Sequence, residues 1–172
     1  MEFMTFDPIG KENQLMQDSK DIYRFIHAGR GKLTLVRTDN MHGHTYTFTK
    51  PRNSEDFEPG TIFVNVIHEG HSYYLGVLTN TKLRLTRNSK FGPHTEAVKG
   101  ANYIIRMSNN QSTIDKDLMR IYNSGQCCVC GRHLRSITSL HKGIGRKCLN
   151  YWDSGILTDS TVFSDLGSSD ED

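Results

Sequence analysis

The spacing of hydrophobic and polar residues changes twice along the chain, and each change marks a change of element. In residues 16 to 28, MQDSKDIYRFIHA, the residues Ile22, Phe25 and Ile26 share one helical face, and Gly29 follows as a residue that takes a left-handed helix end at little cost. This predicts an N-terminal helix. Beyond it the period is two, with Leu33 and Leu35, then Tyr46 and Phe48, then Ile62, Val64 and Val66, then Tyr73, Leu75 and Val77, then Leu83 and Leu85. Five strands are expected. Thr38-Asp-Asn-Met, Pro51 to Gly60, His68-Glu-Gly-His71 and Thr79-Asn-Thr carry turn residues between them, and such short connections make neighbours antiparallel. The apolar positions alternate with Lys32, Thr34, Thr45, Thr47, Lys82 and Arg84, so one face of the meander should be buried and the other wet.

After residue 94 helical spacing returns. In TEAVKGANYIIR, residues 95 to 106, Ala97, Ala101, Ile104 and Ile105 predict a helix that covers the sheet despite Gly100. Ser112-Thr-Ile-Asp115 has the form of a capping box and predicts a third helix through Tyr122, ended by Asn123-Ser-Gly125. The polar run SNNQS, 108 to 112, is the expected internal boundary. The fold class that follows is α+β. An antiparallel β-meander of about five strands packed by helices fills residues 1–107, a helix plus a small cysteine-bearing module fills 113–152, and an acidic tail over 153–172 is expected to be disordered.

Length and composition set bounds on this picture. With 172 residues and 35% hydrophobic content the chain supplies one domain, or a domain with a small satellite, and excludes a multidomain machine. No stretch approaches the roughly 18 apolar residues of a membrane span, and MEFMTFDPIGKENQ lacks the basic start and apolar run of a signal peptide. A cytoplasmic protein is expected. The net charge of +2 hides an asymmetry: all 21 Lys and Arg precede Asp153 along with 13 of the 19 acids, giving the body +8, whereas the remainder is purely acidic. A basic body attracts polyanions, and an acidic tail can compete for the same surface.

The cysteines carry the most specific chemistry. Cys127, Cys128 and Cys130 fall within four residues, and 17 residues separate Cys130 from Cys148. In a reducing compartment four such thiols point to a metal more than to disulfides. Two residues between Cys127 and Cys130 let a tight turn aim both sulfurs at one ion, with Gly131 relieving the backbone, and zinc suits soft thiolates with imidazole. Cys148, in a segment that reads as a turn entering a short helix, is the expected third ligand. His141, seven residues earlier, is the first choice for the fourth, with Cys128 and His133 competing and Asp153 a weaker option. Three thiolates and one histidine would close a structural site. The competing reading is reduced cysteines packing a small core.

Cys127-x-x-Cys130-Gly131-Arg132-x-Leu134, then Ser139, then Gly143-Ile144-Gly145-x-x-Cys148, resembles the C-terminal signature of an uncharacterised, zinc-ribbon-like domain family of phage and plasmid proteins. Gly31-Lys-Leu-Thr-Leu, Thr45-Tyr-Thr-Phe-Thr, Phe63-Val-Asn-Val, Tyr74-Leu-Gly and Arg87-Asn-Ser-Lys resemble the β-rich segment that often precedes it, and Arg146 stands where the family often has proline. The family has no assigned activity. The resemblance implies the fold, a zinc site and a mobile-element origin, hence a host-cell cytoplasm.

Charge around the cysteines is one-sided. Arg132, Arg135, Lys142, Arg146 and Lys147 lie between residues 131 and 148 with no acid among them, and Arg84, Arg87 and Lys90 continue the theme earlier in the chain. These eight are the candidate nucleic-acid contacts, with Tyr73, Tyr74 and Phe91 available for base stacking unless they fill the core. Catalytic motifs are near misses. His68-Glu-Gly-His71 is one residue short of a zinc-protease helix and reads as a hairpin turn, and Gly29-Arg-Gly-Lys32 lacks the residues of a phosphate loop. No enzyme is expected. Two functional classes remain: a nucleic-acid-binding accessory protein, or a protein-interaction module that engages a host enzyme or defence complex.

Overall fold

The computed structural model describes residues 4–79, 81–110 and 117–155. In chain order these form β1 (Met4–Thr5), β2 (Leu15–Met16), α1 (Ser19–His27), β3 (Arg30–Arg37), β4 (His42–Thr49), β5 (Ile62–His68), β6 (His71–Thr79), β7 (Lys82–Arg84), α2 (Glu96–Ser108), β8 (Met119–Asn123), α3 (Ile137–Lys142) and α4 (Arg146–Asp153). The fold is α+β around one antiparallel sheet, in the order β2-β8-β3-β4-β5-β6-β7, with β1 beside the start of β4. No helix among the described residues is long and apolar enough to cross a membrane.

All five strands of the expected meander form, each paired antiparallel with the next. The turn between β5 and β6 is the tight hairpin read from His68-Glu-Gly-His71: His68 pairs with His71, and Glu69 and Gly70 both take positive φ, at 50° and 77°. That conformation twists the turn in the same sense as the strands it joins.

Helices α1 and α2 cover one face of the sheet. Asp18 caps α1 by accepting a 2.8 Å hydrogen bond from the Lys20 amide, and Ile22, Phe25 and Ile26 are fully buried, as the spacing predicts. The helix starts three residues later than expected, because Leu15 and Met16 pair with Tyr122 and Ile121 instead. Thr95 caps α2, whose Ala97, Ala101, Ile104 and Ile105 meet Leu33, Leu35, Tyr46, Phe48, Ile62 and Val64 in one buried cluster. Gly100 lets the helix approach. A Cβ there would fall onto the Tyr46 hydroxyl and lie 3.3 Å from Leu35 Cδ2.

The third helix expected through Tyr122 is corrected to a strand. Met119–Asn123 is β8, between β2 and β3, with Ile121 opposite Leu35 on the helix side and Tyr122 opposite Thr34 on the other. Tyr122 is buried there by Phe6 and Val36, a small second cluster under the N-terminal segment. Sheet and core thus continue across the boundary expected at SNNQS, and Cys127, Val129, Leu134 and Ile144 join the main cluster. The capping box at Ser112–Asp115 and the acidic tail from residue 156 lie outside the described residues.

Candidate metal centre and the basic cleft

Beyond β8 the chain turns at Gly125, φ 75°, and doubles back on itself, with Gln126 bridging His133 and the Leu134 amide donating to the Gly125 carbonyl at 2.8 Å. The tip of this hairpin is the Cys127-x-x-Cys130 turn. The Cys127 amide donates to the Arg132 carbonyl at 2.8 Å, and the Gly131 amide donates back to the Cys127 carbonyl at 2.9 Å, which requires the positive φ of 79° that Gly131 supplies. The turn is anchored to the sheet. Arg30 receives it on both sides, its amide donating to the Cys128 carbonyl at 3.0 Å and its Nη1 to the Cys130 carbonyl at 3.1 Å.

The third cysteine arrives on a helix, as the sequence predicts. Ser136 caps α3, Gly143 ends it at φ 71° against the Phe25 ring, and Gly145 opens α4 with Cys148 as its third residue. The Cys128 amide donates to the Gly143 carbonyl at 3.0 Å, so the two sulfur-bearing segments are tied through their backbones.

The Sγ atoms of Cys127, Cys130 and Cys148 all lie within 4.8 Å of one another. Sulfurs each about 2.3 Å from a tetrahedral ion stand about 3.8 Å apart, so the cluster matches a three-thiolate metal site in donor chemistry and dimensions. Its sulfurs share hydrogen bonds. The Cys130 and Cys148 thiols and the Gly145 amide, 3.4 Å away, converge on Cys127 Sγ and hold that thiol far below its usual range. Donating to that thiolate, and burial, push Cys148 and Cys130 up. One thiolate flanked by two further sulfur donors is a donor set that a thiophilic cation fits.

His141, expected as the fourth ligand, is exposed on α3 and is not among the clustered groups, nor is exposed His133. Cys128 also points elsewhere. It is completely buried in the core and burial raises its pKa, the behaviour of an inert packing thiol. Asp153, at the end of α4, is exposed.

The eight candidate cations fall into two groups. Arg132, Arg135, Lys142, Arg146 and Lys147 sit on the cysteine hairpin, α3 and the first turn of α4. Arg84, Arg87 and Lys90 instead line a cleft of about 970 Å³ at the β5–β7 end of the sheet, on the face turned away from the helices. Register explains that face: Phe63, Val77 and Arg84 are directly paired across three strands, and they alternate with Ile62, Leu78 and Leu83, which pack into the main core. Of the expected stacking residues, Tyr74 lines the cleft, whereas Tyr73 and Phe91 meet edge to face at 6.1 Å and pack on the core. Phe57 and Phe63 line the cleft as well. Phe63 was legible from strand alternation, but Phe57 lies in the 51–60 connection, where no period assigns a face. No protein-family model, curated protein or solved structure matches the chain.

Proposed function

We propose that the protein is a nucleic-acid-binding accessory protein, of the phage or mobile-element kind its C-terminal signature resembles, with a structural zinc ion held by Cys127, Cys130 and Cys148. The observation that carries the reading is the cleft: Arg84, Arg87 and Lys90, from β7 and the segment that follows it, are exposed around one concavity on the open face of the sheet. Cations on a rigid frame neutralise phosphates without first being ordered, and each such pairing releases counterions. The body charge of +8 adds long-range attraction.

Zinc is the metal whose preference for thiolates fits this donor set, where calcium or magnesium would want oxygen. Bound there, it would supply charge compensation and a cross-link between the hairpin and α4. Arg30 orients the hairpin through its two bonds to the Cys128 and Cys130 carbonyls, and the Gly145 amide supports the Cys127 thiolate.

Fluorescence anisotropy with labelled DNA and RNA tests the nucleic-acid reading. Binding should be measurable at low salt and weaken linearly in log–log terms as salt rises. Absence of binding to either polymer at low salt removes it. Metal analysis of protein purified without chelators tests the zinc assignment, with one equivalent per chain expected.

A further inference from the structure

We infer that the cleft takes an unpaired, single-stranded segment and discriminates against a duplex, an inference that rests on the nucleic-acid reading above. Three features of the cleft point the same way. Its floor is aromatic: Phe57 meets Phe63 edge to face with ring centroids 5.2 Å apart, and Phe63 meets Tyr74 in the same manner at 6.4 Å. The row is accessible, Phe57 being 41% exposed at its outer end. Ring faces attract base faces, and base faces are available only where bases are not stacked within a duplex.

The rims differ in charge. Arg84, Arg87 and Lys90 come from β7 and the segment after it, whereas Asp56 and Glu58 come from the connection that precedes β5. All five are exposed. A single strand laid along the cleft puts its phosphates on the cationic rim and its bases across the aromatic floor, where exocyclic amino groups and ring N–H groups meet carboxylates that accept hydrogen bonds. A duplex of the same length brings a second phosphate backbone, and that strand would face Asp56 and Glu58. Like charges across a cleft cost affinity. The acidic rim is thus a device against the second strand as well as an acceptor for base edges.

Between the rims the lining also includes the apolar Val77 and the polar Asn65. Asn65 donates to the Ser72 hydroxyl at 2.8 Å from the same face. Its carbonyl oxygen is an acceptor of the kind a base edge uses.

The test compares one mixed-sequence oligonucleotide, labelled with fluorescein, as a single strand and annealed to its complement, by anisotropy on the full chain. The single strand should bind at least about 10-fold more tightly. Phe57→Ala and Tyr74→Ala should each weaken single-strand binding about 10-fold while leaving the salt slope unchanged, since base stacking releases no counterions. Asp56→Lys with Glu58→Lys, at two exposed positions, should raise duplex affinity more than single-strand affinity. Equal or tighter duplex binding by the wild-type protein, or aromatic variants that bind as the wild type does, overturns the inference and leaves the nucleic-acid reading standing. Failure of both forms to bind overturns both.

Discussion

The Tyr46 hydroxyl donates a 2.6 Å hydrogen bond to the carbonyl oxygen of Ala97, tying the middle of β4 to the first turn of α2. The ring is completely buried, and burial pushes the phenol pKa far above its ordinary value, so the group remains a donor at any accessible pH. The bond exists because Gly100, one helical turn later, presents no Cβ to the phenol oxygen.

Gly100→Ala should therefore destabilise the protein by about 1–3 kcal/mol, although the same change in an exposed helix stabilises by about 1 kcal/mol. Tyr46→Phe removes the oxygen that would collide, at a cost of about 1 kcal/mol for the missing bond. The double variant should be more stable than the sum of the two losses. Urea unfolding of the four proteins measures this coupling, and additive losses would mean that the helix simply shifts.

The contrast between β5 and β8 shows what the sequence could express. Strands such as Ile62–His68 bury one face, so apolar and polar residues alternate and the period of two is visible. In β8 both faces are covered, Ile121 by the main core and Tyr122 by Phe6 and Val36, which erases the alternation and leaves MRIYN ambiguous. Strand β2 is two residues long and has no period at all. At the candidate metal centre the cysteine spacing and the helix-borne Cys148 were legible because local turn geometry dictates them. The role of Arg30 was not, since a residue 100 positions from Cys130 becomes its neighbour only through the fold.

Cys130 is the partly exposed member of the cysteine cluster, so, if the cluster holds zinc as proposed, Cys130→Ser should change packing little and metal binding greatly. Zinc content should fall from one equivalent to near zero. Because Cys127, Val129, Ile144 and Cys148 belong to the same buried cluster as α1 and the sheet, the effect should spread through the whole fold. Calorimetry should record one transition lowered by at least about 10 °C. Equal melting temperatures for the variant and the untreated wild type would mean that the thiols only pack.

His27, on the last turn of α1 against the Tyr23 ring, is held down to a pKa of about 4 by burial and, secondarily, by Lys50. The unfolded chain takes up this proton near pH 6.5 and the folded chain does not, so stability falls as pH drops from 6.5 toward 4. The loss is at most on the order of 3 kcal/mol. Urea midpoints of wild type and His27→Gln at pH 7.5 and 4.5 isolate this contribution: the variant should lose less on acidification. An identical loss in both proteins would assign the acid sensitivity to other groups, the buried His44 among them.

The salt dependence of binding, compared between the wild type and a variant carrying Arg84→Gln, Arg87→Gln and Lys90→Gln, tests the functional reading most directly. All three side chains are exposed, so the substitutions leave the core intact. If the cleft holds phosphates, the variant should bind a labelled single strand more weakly at low salt, and its log–log slope should be shallower by about 2, or about 0.7 for each phosphate no longer neutralised. A variant with the wild-type affinity and the wild-type slope would contradict the account, because the cleft would then take no part in binding.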